Sequence, residues 1–276
     1  MTGQTSLLPL SRDGLAAYLE DQIVHGFWQP GAKLPSERQF AEQFGVSRSV
    51  VREVLRSLIE RHLVDVLPGR GAYVRDARAS DAAGRLDAML RRSHPTPRDL
   101  VEARTMLECA AAGLAAERAA DVDLNTLGEA LSRFDGAPGV VEQARYDLAF
   151  HLAVAHAAHN SVIETMFGAI SGLAAEMMLR SLGDPAVARA SVPYHRAIHL
   201  AIEARDPEGA RAAMANHLAV AAKFYGDDFD RGIGGAARRE LGRLLAPGVT
   251  VDDLLGTPVG GEFQDRDGGD DGRDQA

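Results

Sequence analysis

The sequence predicts a mainly α-helical fold in two domains: an N-terminal winged helix-turn-helix, with three helices plus a two-stranded wing, and a C-terminal all-α helical bundle. Three observations support this prediction. Apolar residues recur at helical spacing through most of the chain. One short stretch, near residues 63–74, changes to β-prone runs around a turn. Beyond residue 99 the pattern is helical and alanine-rich up to about residue 226.

The first predicted helix runs from about Arg12 to His25. Leu15, Leu19 and Ile23 recur every four residues along it, which is the stripe of an amphipathic helix. Gly26 follows directly, and glycine is the residue that most often terminates a helix. We therefore expect one face of this helix to be buried against the rest of the domain.

Two further helices are predicted around a tight turn. Ser36 is a good N-cap, and Gln39 three residues later completes a capping box. This short helix stops at Gly45, and Ser47 then caps a third helix from about residue 48 to residue 61. Two helices joined by three residues that include a glycine form a helix-turn-helix. The inner face of the third helix is predicted to consist of Val51, Val54, Leu55 and Leu58.

The wing is predicted from a change of period after the third helix. Residues 63–66 and 72–74 are short β-prone runs, and residues 68–71 between them have the sequence Pro-Gly-Arg-Gly. Proline and glycine in that arrangement indicate a hairpin turn. We thus expect the first domain to cover residues 1–75.

The remainder of the chain divides into a linker, a helical domain and a tail. A polar linker is expected over residues 76–96, the helical domain over 97–226, and an acidic, largely disordered tail over 227–276. A weak helix is possible near 236–245. The strongest start signal is Asp206 followed by Pro207 at the first helical position. The predicted helices of the domain cover residues 98–119, 123–134, 140–158, 161–182, 186–204 and 207–225.

Composition excludes several classes of protein. Cys109 is the single cysteine, so an internal disulfide is impossible and a reducing compartment is indicated. The two lysines, Lys33 and Lys223, do not follow a glycine, which excludes a Walker A loop. The chain has neither a GxSxG nor an HExxH motif, and we expect no enzymatic activity. A signal peptide and a run of 18 apolar residues are also absent, so we expect a cytoplasmic protein that contacts no membrane.

The stretch from Ile23 to Val74 resembles the GntR family of transcription regulators in order and spacing. The matching residues are Pro30-Gly31-Ala32-Lys33-Leu34-Pro35-Ser36-Glu37-Arg38, Val46-Ser47-Arg48, Val51-Arg52-Glu53-Val54-Leu55 and Gly69-Arg70-Gly71-Ala72-Tyr73-Val74. One residue departs from the pattern: this chain has His62 at a position where the family often has glycine. The resemblance implies a DNA-binding transcription factor.

The helical half resembles the effector domain of the FadR subfamily, called FCD. The matching residues are Asp99-Leu100-Val101-Glu102-Ala103-Arg104, Leu107-Glu108, Asp147-Leu148-Ala149-Phe150-His151, Asn160, His195-Arg196-Ala197-Ile198, Arg205-Asp206-Pro207-Glu208 and His217-Leu218. This domain implies effector binding and dimerisation. The two resemblances cover about 200 residues, and nothing in the family pattern corresponds to the tail.

Operator contacts follow from the first resemblance. In relatives the arginines matching Arg38, Arg48 and Arg52 contact DNA, and an arginine fork can grip a guanine edge. Ser47 and Ser49, at the start of the third helix, are expected phosphate contacts. The wing glycines Gly69 and Gly71, with Arg70 between them, are expected at the minor groove, and Arg56 is left open between a DNA contact and a solvated helix face. We expect a homodimer on an inverted repeat in double-stranded DNA.

The net charge of −9 does not oppose DNA binding, because it is unevenly distributed. Residues 1–75 carry a net charge of +1, whereas residues 226–276 carry −6. Affinity for DNA needs arginines that face phosphates, and an overall basic chain is not required.

A metal site is the expectation for the second domain. Asp147 and His151 are four residues apart and share one helix face, and the resemblance adds His195 and His217 as ligands. Imidazole suits zinc, nickel, iron or copper, and the carboxylate admits manganese. Zinc is the favoured cofactor, with nickel, manganese or iron as alternatives. The other histidines of the domain, His156, His159 and His199, match no family position and are interpreted as structural.

The resemblance also assigns Arg104 to a ligand carboxylate, held by a bidentate pair. The competing interpretation is a structural salt bridge with Glu108, four residues on. We expect a repressor that a small carboxylate effector, such as a hydroxy acid, sugar acid or dicarboxylate, releases from DNA. Three alternatives remain. The first is a metal-dependent enzyme, which the helix-turn-helix argues against. The second is a regulator whose metal is structural or is itself the signal. The third is a GntR protein with a transferase-type C-terminal domain, for which this chain is too short.

Overall fold

The structure is a computed structural model that describes residues 11–76, 86, 89–223, 229–230 and 232–233. The chain divides into two compact units, Met1–Asp81 and Ala82–Ala276. The fold is mainly helical, with one small sheet among the described residues. This confirms the predicted fold class.

The N-terminal unit contains three helices followed by a hairpin. Its elements are α1 (Arg12–Val24), α2 (Glu37–Phe44), α3 (Arg48–Glu60), β1 (Val64–Leu67) and β2 (Gly71–Val74). The capping box at the start of α2 is formed, with the Ser36 hydroxyl accepting from the Gln39 backbone and the Gln39 side chain accepting from the Ser36 backbone. Ser47 caps α3 by accepting from the backbone of Val50 at 3.3 Å. Local capping therefore fixes the turn between α2 and α3.

The wing is a two-stranded antiparallel hairpin in which Val64 pairs with Val74 and Leu67 with Gly71. Each strand lies within one residue of its predicted position. Gly69 and Gly71 have φ angles of 71° and 112°, a region that side chains disfavour, so this turn requires glycine. His62 has a φ angle of 61°, which explains why relatives often place glycine there.

A single hydrophobic cluster holds the N-terminal unit together. The inner face of α3 is buried as predicted and packs against α1, α2 and both strands. Its buried members are Leu15, Leu19, Leu34, Phe40, Phe44, Val51, Val54, Leu55, Leu58, Val64 and Val74. Since α3 buries one face, its opposite face is available at the surface.

The second unit is a helical bundle. Its helices are α4 (Pro97–Arg118), α5 (Asp121–Asp135), α6 (Val140–Ala157), α7 (Ser161–Leu182), α8 (Pro185–Glu203) and α9 (Pro207–Lys223). Each end lies within two residues of its prediction. Thr96 and Asp99 form a capping box at the start of α4, and Asn160 caps α7. A helix predicted near 236–245 lies outside the described residues.

Small residues allow the helices of the bundle to approach closely. Ala112 and Ala116 on α4 are fully buried in a cluster with Ala210 and Met214 of α9. By length and composition alone, α7 could cross a membrane. Its residues instead contribute to two clusters of the bundle core, as Leu173 and Leu179 illustrate. We therefore interpret α7 as a core helix.

The first part of the expected disordered tail packs on the bundle where it is described. Ile233 is 3% exposed and lies in a cluster with Leu100 and Met177. Asp230 pairs with the guanidinium of Arg98, with an Nε–Oδ1 distance of 2.7 Å, and Phe229 lies under the same guanidinium. The described residues of this segment therefore contact the bundle instead of being solvated on all sides. The described residues do not include 257–276, where disorder was also expected.

Candidate functional site

One candidate site is the exposed face of α3 and the adjacent wing. Arg38, Arg48, Arg52 and Ser49 are all exposed, as are the wing residues Gly69, Arg70 and Gly71. The Ser47 hydroxyl is also exposed and lies 2.8 Å from that of Ser49. The residues predicted to contact an operator thus share one unit and are all accessible.

Ion pairs orient two arginines of this site, Arg52 and Arg38. Arg52 donates to both carboxylate oxygens of Glu37, with distances of 3.2 and 3.0 Å. Arg38 pairs with Glu42 at 2.9 Å. The hydrogen bond from Arg52 lowers the pKa of Glu37 below its usual value, so the pair is ionised at neutral pH. Sequence reasoning missed Glu37, because it lies 15 residues from Arg52 and only the turn brings the two together.

Arg56 was left open by the sequence. It pairs along its own helix with Glu60, at an Nε–Oε1 distance of 3.2 Å, and its side chain is 72% exposed. An exposed pair of this kind on one helix face is a common surface feature. The contact fits the solvated-face interpretation without deciding between the two.

A second candidate site lies inside the helical bundle. Asp147 and His151 come from α6, His195 from α8 and His217 from α9. All four side chains are buried, and each offers one ligand atom within 4.8 Å of the others. The four residues predicted as metal ligands are thus brought together by three helices.

The distances within this cluster suit a metal ion. Asp147 Oδ1 lies 2.7 Å from His195 Nε2 and 3.5 Å from His151 Nε2, and the Nε2 atoms of His151 and His217 are 3.1 Å apart. Ligands about 2.0–2.2 Å from a tetrahedral zinc are separated from one another by about 3.4 Å. Neither Asp147 Oδ1 nor His195 Nε2 has a well-aligned hydrogen bond within the described residues. Buried polar atoms without such bonds are costly, and a shared cation would satisfy them.

Burial and neighbouring charges set the protonation of the ligands. Burial disfavours the ionised form of Asp147, but the facing His195 and His151 outweigh it and hold its pKa well below the usual value. Burial, together with the like charges of His195 and His151, lowers the pKa of His217 well below its usual value. For His151, burial disfavours the charged ring, but the charge of Glu108 and the contact with Asp147 outweigh it and raise the pKa. An ionised carboxylate and a neutral imidazole are the forms that bind a metal, so binding at His151 would release a proton.

The ring of His195 packs against two phenylalanine rings. Its centroid lies 5.1 Å from that of Phe134 and 5.1 Å from that of Phe150, in both cases edge to face. Such contacts fix ring orientation by packing. The Nε2 of His195 is thereby directed at Asp147.

Arg104 lies beside this cluster and makes the salt bridge that was the competing interpretation. Its Nε donates to Glu108 Oε1 at 2.6 Å, and both side chains are 2% exposed. Its Nη2 lies 3.4 Å from His151 Nε2. Glu108 also contacts the Nδ1 of His151. Sequence reasoning treated Glu108 only as a partner of Arg104, and its contact with α6 could not be read from spacing.

A narrow cavity with about 30 Å³ of space for water-sized molecules, partly open to solvent, adjoins Arg104 and two of the cluster residues. Polar groups line one part of it and apolar side chains the rest. The lining residues are Arg104, Asp147, His217 and Ser181, with Met177, Met178, Leu182, Val187 and Val220. This space admits water, and an organic ligand would have to displace part of the lining.

Two of the remaining histidines pair with acids away from the cluster. His156 Nδ1 lies 3.0 Å from Glu164 Oε1, and His159 Nε2 lies 2.8 Å from Asp123 Oδ2. The third, His199, is partly exposed and lies near Gly128. These positions accord with structural roles.

Comparison with known proteins assigns both units. Residues 11–74 match the gntR family of bacterial regulatory proteins, and residues 99–220 match the FCD domain. The regulator LutR of Bacillus subtilis is 34% identical over 206 residues, which cover 71% of this chain and 92% of that protein. The galactonate operon transcriptional repressor of Escherichia coli K12 is 32% identical over 214 residues, covering 75% of this chain and 93% of that protein.

The chain belongs to the GntR family. It is a DNA-binding transcription regulator with an FCD effector domain, and its relatives are regulators rather than enzymes. A solved structure supports the same fold for this GntR member. Streptococcus agalactiae GntR superposes with a TM-score of 0.58 at 26% identity, covering 76% of this chain and 98% of that one. The winged unit is therefore the family's DNA-binding domain.

Proposed function

We propose that this GntR-family protein is a cytoplasmic repressor that a small carboxylate effector releases from its operator. The observation that carries the proposal is the buried group of Asp147, His151, His195 and His217 beside Arg104. A divalent metal held by this group and the guanidinium of Arg104 would together provide two positive charges for the carboxylate of an effector. A relative named as the galactonate operon transcriptional repressor supports repression, and the sugar acid in the name of its operon supports an acid as the effector class.

Operator recognition is assigned to α3, to Arg38 and to the wing. Arg48 and Arg52 would contact base edges, Ser47 and Ser49 phosphates, and the segment from Gly69 to Gly71 the minor groove. One winged helix makes few contacts, so two copies on an inverted repeat provide the affinity and the register. The helical domain would form the homodimer.

Effector binding is assigned to the cavity beside the cluster. Asp147 and the three histidines would hold the ion, with zinc favoured and nickel, manganese or iron as alternatives. When bound, the metal supplies open positions for carboxylate or hydroxyl oxygens. Arg104 would hold the carboxylate through its Nη atoms, because Glu108 takes only the Nε and the contact of Nη2 with His151 is long, at 3.4 Å. A larger groove between α1 and α3 is lined mainly by charged side chains and lacks such convergent ligands.

Release from DNA requires that the effector discriminate between two states of the protein. Cavity residues come from α4, α6, α7, α8 and α9, so a bound acid would contact five helices of the bundle. Differential affinity of about 1–3 kcal/mol is typical of such coupling. Repacking of the helices would change the pose of the two winged units and weaken operator binding.

A second function is favoured by the same cluster. Its four ligands could hold a structural metal, or the metal could itself be the signal with a non-carboxylate effector. In that case operator affinity would follow metal concentration without any organic acid.

The proposal is tested by a thermal-shift screen of zinc-loaded protein against small carboxylic acids. An acid at a hundredfold excess over its Kd stabilises the native state by about 2.7 kcal/mol. We expect one acid to raise the Tm, EDTA to abolish that shift, and the same acid to reduce binding to an operator selected from random DNA. An operator complex that tightens with the acid would contradict repression, and no shift from any acid would favour the metal-only alternative.

A further inference from the structure

Glu108 contacts both a candidate effector residue and a candidate metal ligand. One of its oxygens, Oε1, accepts from Arg104 Nε at 2.6 Å, and its other oxygen, Oε2, contacts His151 Nδ1. All three side chains are buried to 2% exposure or less. The carboxylate is therefore fixed by one contact on its own helix and by another from α6.

The two ring nitrogens of His151 face different neighbours. Nδ1 contacts Glu108 Oε2, whereas Nε2 lies 3.1 Å from His217 Nε2 and 3.5 Å from Asp147 Oδ1. A carboxylate oxygen accepts and does not donate, so the contact with Glu108 favours a proton on Nδ1 and leaves Nε2 for the candidate metal position.

We propose that Glu108 is a positioning residue for His151, a role that rests on the proposed metal site. Through its contact with Nδ1, Glu108 fixes the ring so that Nε2 faces Asp147 and His217. A carboxylate behind a ligating histidine orients the ring and raises its basicity as a ligand. Because the same carboxylate holds Arg104, loss of Glu108 disturbs the effector arginine and the metal ligand together.

The geometry separates this role from simple charge balance. A carboxylate that only neutralised Arg104 would need no contact with α6. Glu129 and Arg133 on α5 form such a pair, spaced four residues apart, with side chains that are 61% and 53% exposed. Glu129→Gln therefore provides a matched control that lacks any histidine partner.

The first test is zinc affinity. Full-length wild type, Glu108→Gln and Glu129→Gln are titrated with zinc in competition with a chromophoric chelator, after far-UV circular dichroism of each metal-free protein. We expect Glu108→Gln to lose about 10–100-fold in affinity and Glu129→Gln to match the wild type. An unchanged affinity in folded Glu108→Gln would overturn the role of Glu108, whereas a wild type that binds no zinc would overturn the metal site itself.

The second test does not depend on a folded variant. In metal-free wild-type protein labelled with ¹⁵N-histidine, long-range ¹H–¹⁵N correlation spectra distinguish the two ring nitrogens, and His151 is assigned by comparison with His151→Gln. At alkaline pH, where the ring carries a single proton, we expect that proton on Nδ1. A proton found mainly on Nε2 would contradict the proposal, because that tautomer directs no lone pair at the metal position.

Discussion

Arg52 on α3 is held by Glu37, the first residue of α2, through two hydrogen bonds of 3.2 and 3.0 Å. The guanidinium remains 68% exposed, so it is oriented without being withdrawn from the surface. A guanidinium that is already held in one orientation loses less conformational entropy on binding a base than a mobile guanidinium does. A residue of α2, the first helix of the helix-turn-helix, thus orients an arginine side chain of α3, the second helix.

Glu37→Gln is expected to reduce discrimination between operator and random DNA. Arg52 loses its fixed direction, which weakens the base contact, and one negative charge near the phosphates disappears, which strengthens non-specific binding. Fluorescence anisotropy at fixed salt should show a several-fold fall in the specificity ratio. Asp13→Asn removes a charge from the exposed start of α1 and should leave that ratio nearly constant; an equal fall in both variants would refute orientation by Glu37.

His217→Ala is expected to remove most of the stabilisation by zinc. His217 is neutral when buried, so it is ready to bind a metal, and alanine offers no ligand atom. A hundredfold loss of affinity lowers metal-linked stability by about 2.7 kcal/mol when metal is well above Kd. Differential scanning calorimetry with zinc or EDTA measures the effect. His156→Ala, which changes an exposed histidine paired with Glu164, should retain the full zinc shift.

Arg104→Ala is expected to destabilise the helical domain. The variant leaves the buried Glu108 carboxylate without its guanidinium, and breaking a buried pair in this way costs about 3–5 kcal/mol. The attraction of Arg104 and His151 outweighs burial and lowers the pKa of Glu108 to about 2, which marks how strongly the ionised form is held. Arg133→Ala breaks an exposed pair of the same spacing and should cost less than about 1 kcal/mol. Urea unfolding compares the two, and equal costs would contradict the importance of burial.

Ile233→Ala is expected to loosen the segment that follows α9. Ile233 is 3% exposed among apolar residues of α4 and α7, and truncation of a buried isoleucine costs about 2–5 kcal/mol when the site cannot collapse. Hydrogen exchange should show faster exchange at residue 233, whose backbone donates to Pro95 at 2.9 Å. Leu200→Ala removes a side chain that is 54% exposed on α8 and should leave that exchange unchanged. Unaltered exchange in Ile233→Ala would show that the backbone bond alone holds the segment.

Local structure was predictable because its causes are local. Ser36 and Gln39 satisfy the backbone of the same helix, so their spacing alone indicated where α2 begins. The buried face of α3 followed from a period of 3.6 residues, and the helix ends of the bundle lay within two residues of prediction. Asp147 and His151 could be placed on one face for the same reason.

Partnerships between elements were decided by tertiary structure. Glu37 contacts Arg52 because the packing of α2 against α3 brings the start of one helix beside the surface of the other. Glu108 contacts His151 because burial of the alanine face of α4 sets the rotation of that helix in the bundle. The docking of Ile233, where a solvated tail was expected, likewise depends on an apolar surface formed by two distant helices. Periodicity specifies which face of a helix is apolar, but the neighbour and the rotation that bury it are properties of the whole core. The sequence by itself therefore determined the elements and their faces, with the family pattern naming the candidate ligands, and only packing decided which polar side chains would touch.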